Sequence, residues 1–100
     1  MSVGRGKETT MTVLLITYDS LKPGPAVDGI HRIIRSYKHI KIAEGSFAIE
    51  THEKTRTIFN KMQPYLGDNA HLLVATIIKP FAGAVSEPVS EWLTKHLSEY

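Results

Sequence analysis

The chain has 100 residues, with 12 lysines and arginines against 10 acidic residues and a formal net charge of +2. The length fits one domain with a single thin core. A composition of 42% hydrophobic and 22% charged residues excludes disorder of the whole chain. The absence of cysteine excludes disulfides, thiolate nucleophiles and cysteine-ligated metal sites. No apolar run is long enough to span a membrane and no signal peptide opens the chain, so we expect a cytoplasmic protein without a membrane partner.

The first half of the chain predicts a strand, a helix and a hairpin. Residues 1–10 lack apolar periodicity and predict a disordered tail before a single domain over 11–100. The run 12–18 is apolar on both faces, which is typical of a central, covered strand. Apolar residues at three- and four-residue steps then predict an amphipathic helix over 26–38. Two strand-like runs around Glu44-Gly45 predict a hairpin.

The second half predicts a helix, a strand and a final helix. The second helix of the chain opens near Thr51 and extends to Leu66, with Pro64 distorting its end. Residues 71–79 form a second strand that is apolar on both faces, and apolar spacing predicts a last helix over 87–98.

This order of elements defines an expected fold class. Two right-handed βαβ crossovers joined through a hairpin give an α+β, ferredoxin-like βαββαβ sandwich, here with an added C-terminal helix. We expect the 12–18 and 71–79 strands side by side, with the helices packed over a single face of the sheet. The last strand then lies at an edge, and an apolar edge needs a cover. Either the C-terminal helix or a second copy can supply it, so we predict a homodimer.

Asp19 is the candidate catalytic and metal-binding residue. It ends the first strand, where functional groups often lie in open sheets. An aspartate there can ligate a hard cation such as Mg²⁺, with a symmetry mate supplying a second carboxylate. The alternative is a loop-capping aspartate whose side chain bonds the amides that follow.

A group of basic residues is the candidate nucleic-acid-binding surface. It occupies the end of the first helix and its exit, together with one lysine in the preceding loop that could bind phosphate. The alternative is a set of solvated cations favoured by the helix dipole. The members of this group are Lys22, Arg32, Arg35, Lys38 and Lys41.

Four short motifs carry a family resemblance over residues 12–98: Tyr18-Asp19-Ser20-Leu21-Lys22-Pro23-Gly24, Ile34-Arg35-Ser36-Tyr37, Glu44-Gly45-Ser46-Phe47-Ala48-Ile49 and Val89-Ser90-Glu91-Trp92-Leu93. They resemble small bacterial and phage proteins described as SinR-like. That group is similar to the small CRISPR adaptation endonucleases and to VapD-type toxin ribonucleases. The resemblance implies a ferredoxin-like homodimer in which Asp19 matches the proposed metal ligand and Ser46 lies near a serine that begins the third strand.

Two departures from the nuclease pattern favour binding over catalysis. The loop Lys22-Pro23-Gly24 replaces a segment rich in aspartate or arginine, and the C-terminal segment predicts a helix rather than a swapped strand. A nuclease also needs further acids near the scissile phosphate, and only Asp28 and Glu44 are candidates. We therefore predict a homodimeric module that binds nucleic acid or a protein partner. The alternatives are a Mg²⁺-dependent nuclease using Asp19 from both subunits and a small-ligand sensor at the dimer cleft.

Overall fold

The computed structural model describes residues 11–19 and 24–99, so that the predicted tail at 1–10 and Lys22 lie outside the described residues. The helices and strands follow the predicted order closely. They are β1 (Thr12–Asp19), α1 (Pro25–Arg35), β2 (Lys38–Ala43), β3 (Ser46–Thr51), α2 (Thr55–Met62) with a 3₁₀ turn (Gln63–Tyr65), β4 (His71–Ile77) and α3 (Glu87–His96).

The four strands form one antiparallel sheet in the order β2-β3-β1-β4. The register places Leu14 of β1 opposite Ile49 of β3 on one side and Thr76 of β4 on the other. This order is that of the ferredoxin-like fold, and the predicted α+β class with an added C-terminal helix is confirmed. The two strands that are apolar on both faces are neighbours, as expected.

One face of the sheet, here called the helix-pair face, is covered by α1 and α2. Ile30 and Ile34 of α1 and Ile58 and Met62 of α2 are at most 1% exposed and pack on alternate residues of β1 and β3. Each such side chain contributes roughly 2 kcal/mol by leaving water. The sheet residues in this cluster are Leu14, Ile16, Phe47 and Ile49.

The opposite face, here called the α3 face, carries a second and smaller core. Val89, Leu93 and Leu97 pack there against Val13 and Ala48, with Ile40, Ile42, Ile77 and Trp92 around them. The expectation that all helices lie over a single face is therefore wrong. The reason is physical: β1 is apolar on both faces, so both faces need a cover.

Among the described residues, α3 covers only part of the α3 face. Leu15, Thr17, Leu73 and Ala75 lie on this face by strand alternation but outside the cluster that α3 forms. Leu73 is 58% exposed. We call these four residues the open half of the α3 face.

Local chemistry explains where the elements begin and end. Pro25 is the first residue of α1, a position where its missing N–H costs nothing. Gly45 turns the β2–β3 hairpin with φ +74, a conformation that glycine adopts most easily. Pro64 lies in the 3₁₀ turn that follows α2, so the predicted distortion of the helix end is confirmed.

Several helix boundaries differ from the prediction. α1 ends at Arg35 rather than at residue 38, because Lys38 already pairs with Glu50 as the first residue of β2. α2 begins at Thr55 rather than near Thr51, which is the last residue of β3.

β4 is an edge strand, as predicted, and within the described residues it pairs with β1 alone. α3 packs on the sheet face rather than along this edge, so the C-terminal helix does not cover the β4 edge. None of the helices in the described chain has the length and apolar composition of a membrane span.

Candidate functional site

Asp19 is the last residue of β1 and lies on the α3 face. The antiparallel register places it opposite His71, the first residue of β4. Asp19 Oδ2 and His71 Nδ1 are 4.0 Å apart, and both side chains are 78% exposed. They border a shallow pocket of about 170 Å³ whose floor includes Thr17 and Leu73 of the open half. The structure thus places an imidazole beside Asp19.

His71 was not predicted from the sequence as the partner of Asp19. The signal was nevertheless present, because in an antiparallel pair the end of one strand meets the beginning of the other. Once β1 ends at Asp19 and β4 begins at His71, the two side chains must share a face.

The residues around Asp19 do not fit a magnesium site within one chain. Mg²⁺ prefers six oxygen ligands in near-octahedral geometry. In the described residues, no group of three or more histidine and acidic side chains is placed to hold a metal ion. Glu44, one of the two further acids considered, is bound to Lys41 with Oε2 2.6 Å from Nζ. Asp28, the other, is exposed on α1.

Tyr18, the neighbour of Asp19 in sequence, lies on the helix-pair face. Its hydroxyl oxygen is 2.6 Å from Nε2 of His31 on α1. The Tyr18 ring stacks on Phe47 with centroids 6.3 Å apart, and His31 meets Phe47 edge-on at 5.3 Å. The side chain of His31 is half-buried. Strand alternation therefore separates the Tyr18–His31 pair from Asp19.

The environment of Tyr18 raises the pKa of its hydroxyl. Burial is the main cause, and the negative charge of Glu44 adds to it while Lys41 opposes it. The backbone is fixed at the same point, because the Tyr18 N–H donates to the Gly45 carbonyl over 2.8 Å. Tyr18, His31 and Phe47 thus form an aromatic cluster next to the hairpin.

The predicted basic surface divides between three locations. Arg32 and Arg35 are exposed on the solvent side of α1, one turn apart. Lys41 lies on β2 and its charge is compensated by Glu44, whose hydrogen bond also raises the pKa of Lys41. Lys38 lies on the other face of β2, because strand residues three apart point in opposite directions. No carboxylate among the described residues forms an ion pair with Arg32, Arg35 or Lys38.

A third polar cluster joins the end of α1 to α2 at the opposite end of the sheet. The Tyr37 hydroxyl donates to Glu53 Oε1, and Lys61 Nζ donates to the Tyr37 hydroxyl over 2.8 Å and to Glu53 Oε2 over 2.9 Å. The backbone N–H of Glu53 donates to Thr51 Oγ1. The cluster fixes the β3–α2 loop, and its charges are satisfied internally.

This cluster was not predicted from the sequence because its three members are far apart in the chain. The hydrogen bond from Tyr37, followed by that from Lys61, holds the pKa of Glu53 below its usual value. The same contacts raise the pKa of Lys61, and burial raises that of Tyr37. No local sequence pattern predicts contacts between residues so far apart in the chain.

The topology and these contacts define a small α+β domain of ferredoxin-like type with a C-terminal helix. Comparison with known proteins gives no match: no family model, no curated protein and no solved structure is similar to this chain at a significant level. Function must therefore be inferred from the residues themselves.

Proposed function

We propose that this chain is a homodimeric module of the SinR-like kind that binds nucleic acid. The observation that carries the proposal is the pair Arg32 and Arg35, exposed on one side of α1 with no carboxylate partner among the described residues. Unpaired guanidinium groups are free to contact phosphates, and they bind them bidentately. Lys38 lies on the α3 face opposite Glu50 and is not part of this surface.

The surroundings of Asp19 support binding rather than turnover. Hydrolysis of a phosphodiester needs several groups converging on one phosphate. Asp19 has one imidazole beside it and is otherwise open to solvent. The Tyr18–His31 pair, which could move a proton, lies on the other face of the sheet.

Salt dependence of binding tests the nucleic-acid proposal. Fluorescently labelled single-stranded RNA and double-stranded DNA are titrated with the full chain over a range of salt concentrations. If phosphates are contacted, the logarithm of affinity falls linearly with the logarithm of salt. The double variant Arg32→Ala with Arg35→Ala should bind more weakly and reduce that slope by roughly two.

The matched control removes two other exposed cations, Lys54→Ala with Lys95→Ala, which lowers the net charge equally. Binding by this control should stay close to that of the unchanged chain. Absence of binding at low salt, or equal losses in the two double variants, would overturn the proposed surface.

The open half of the α3 face supports self-association. Leu73 is 58% exposed among half-buried Leu15, Thr17 and Ala75. Asp19 and His71 border this patch. A surface that carries an acid and an imidazole beside an apolar centre is complementary to itself about a twofold axis. We therefore place the second copy on this face.

Sedimentation equilibrium tests the dimer. The unchanged chain should be dimeric at tens of micromolar and Leu73→Asp should be monomeric, because a charge in an apolar contact is costly to bury. Ile78→Asp is the control, since Ile78 is also exposed, at 42%, but follows β4. A monomeric unchanged chain, or a monomer produced equally by both variants, would contradict this interface.

A nuclease with Asp19 from both subunits is the competing function, and the position of Asp19 beside the proposed interface favours it. Degradation of RNA and DNA by purified protein is compared with that of Asp19→Ala, with Mg²⁺ present. Degradation that is lost in Asp19→Ala would replace the binding proposal by catalysis. Degradation that is unchanged in this variant would dismiss the enzyme.

A further inference from the structure

The β4 edge carries a groove that shares Leu73 with the proposed dimer interface and is otherwise not used by the proposed function. Residues 72–74 of β4 form one wall and Thr55, Arg56 and Phe59 of α2 form the other, enclosing about 220 Å³. Because β4 pairs only with β1 among the described residues, the outward backbone N–H and C=O groups of β4 have no strand partner there. An edge of this kind is a template for an added strand.

The two elements that line this groove carry no acidic residue. Neither α2, with the sequence TRTIFNKM, nor β4, with the sequence HLLVATI, contains an aspartate or glutamate. Arg56 lies in the groove with its guanidinium carbon 5.5 Å from the centre of the Phe59 ring, and no carboxylate in the described chain pairs with it. The aromatic ring orients the guanidinium but leaves its donors free.

A second copy is a poor occupant of this groove. Antiparallel pairing of β4 with another β4 about a twofold axis would bring α2 beside α2, and thus Arg56 towards a second Arg56. Neither of these elements offers a carboxylate to neutralise it. Like charges brought together in this way oppose association. The charge of the groove instead complements an acidic strand.

We propose that the β4 edge binds an extended, acidic peptide segment of another protein by strand addition, with Arg56 pairing with a carboxylate of that segment. The backbone of β4 supplies the hydrogen bonds. Phe59 and Leu72 supply the apolar contacts for alternate side chains. This proposal uses the edge of the sheet and the α2 side of β4, and it shares only Leu73 with the dimer proposed on the α3 face.

The test uses the full chain and synthetic peptides of about eight residues, a usual strand length. One peptide alternates valine with glutamate, a second alternates valine with lysine, and a third is the glutamate peptide with a methylated backbone. Binding is followed by fluorescence anisotropy and by the amide NMR shifts of the chain. The glutamate peptide should bind and shift amides of residues 71–77, whereas the other two should bind at least about tenfold more weakly.

Variant Arg56→Glu should reverse the preference so that the lysine peptide binds more tightly. Lys54→Glu, the control, makes the same charge change two residues earlier and outside the groove, and should keep the preference for glutamate. The proposal fails if no peptide binds, if both variants behave alike, or if the shifts map elsewhere. It also fails if the β4 amides are already protected from hydrogen exchange in a concentration-dependent way, because a second copy then occupies the edge.

Discussion

The Tyr18 hydroxyl and Nε2 of His31 are 2.6 Å apart, which ties the end of β1 to the middle of α1. Both side chains are half-buried and both pack on Phe47. Both groups are partly withdrawn from water, so removing one of them leaves its partner without a hydrogen bond. The loss of stability then exceeds the net contribution of the hydrogen bond itself.

Variant Tyr18→Phe should therefore lower the free energy of unfolding by about 1 kcal/mol. The aromatic packing stays, and only the hydrogen bond is lost. Urea unfolding measures the change. Tyr65→Phe is the control, because no side-chain hydrogen bond of Tyr65 is found in the described chain, and its stability should be nearly unchanged. Equal effects in the two variants would contradict the role of the Tyr18–His31 contact.

The alkaline limb of stability should also depend on Tyr18. Burial raises its pKa in the folded state above the ordinary 10.0. The unfolded chain then loses this proton first, so stability is intact below about pH 10 and falls as pH rises towards the folded pKa. In Tyr18→Phe this contribution is absent, and unfolding free energy should decline less steeply above pH 10. Urea melts at several alkaline pH values measure it, and parallel curves for the two proteins would refute it.

Glu53→Gln tests the cluster at the other end of the sheet. The pKa of Glu53 is lowered in the folded state by Tyr37 and Lys61, so its contribution is present above the ordinary value of 4.5 and is lost as pH falls through the folded pKa. The contact with Lys61 is partly open to water, which limits the loss at neutral pH to about 1 kcal/mol. The difference from the unchanged chain should shrink below pH 4.5.

The control for Glu53 is Glu91→Gln, an exposed position on α3 without an ion pair among the described residues. Its unfolding free energy should stay close to that of the unchanged chain at neutral pH. A loss of similar size in Glu91→Gln would attribute the effect to net charge instead of to the cluster.

Gly29→Ala should destabilise the domain although alanine favours helices. A Cβ at this position would lie 2.3 Å from the ring of Tyr65. Overpacking costs roughly 1–3 kcal/mol, whereas the gain in helix propensity is only about 1 kcal/mol. We expect a net loss of about 1 kcal/mol in thermal or urea unfolding.

Adding Tyr65→Ala to Gly29→Ala separates steric conflict from other effects. With the ring removed, alanine at position 29 should no longer cost stability, and the two changes should be non-additive. Gly67→Ala has no neighbouring atom to meet and serves as the comparison. Additive losses in the double variant would show that Tyr65 is not the source.

Leu93→Ala tests whether α3 is part of the cooperative core. Leu93 is 6% exposed and packs on Val13 and Ala48, so its truncation should cost about 3 kcal/mol. The neighbouring Thr94→Ala is exposed and should change stability by less than about 0.5 kcal/mol. Urea unfolding compares them, and similar values for both would mean that α3 unfolds separately from the sheet.

Much of the fold could be predicted because local chemistry and global topology agree. Gly45 lies in the hairpin turn and Pro64 lies just after the end of α2, as the sequence predicted. The placement of α3 was mispredicted. The sequence of β1 nevertheless indicated it, because a strand that is apolar on both faces needs other elements packed on both faces. The end of α1 was mispredicted because Tyr37 and Lys38 suit a helical period as well as a strand.

The candidate sites could be predicted only in part. Asp19 lies at the end of β1 as expected, since that position follows from the strand boundary. Side chains alternate along β1, so Tyr18 and Asp19 lie on opposite faces of the sheet. This separation could have been predicted from the sequence. The contacts of Glu53 with Tyr37 and Lys61 could not be predicted from the sequence, because they depend on how α1 and α2 pack.

The central position of β1 has a consequence for synthesis of the protein. Its neighbours β3 and β4 end at Thr51 and Ile77, and Leu97 completes the cover of its second face. The nascent chain therefore presents β1 before the partners of this strand have been synthesised. We expect native structure to form only after Leu97 has emerged from the ribosome, with β1 exposed to chaperones until then.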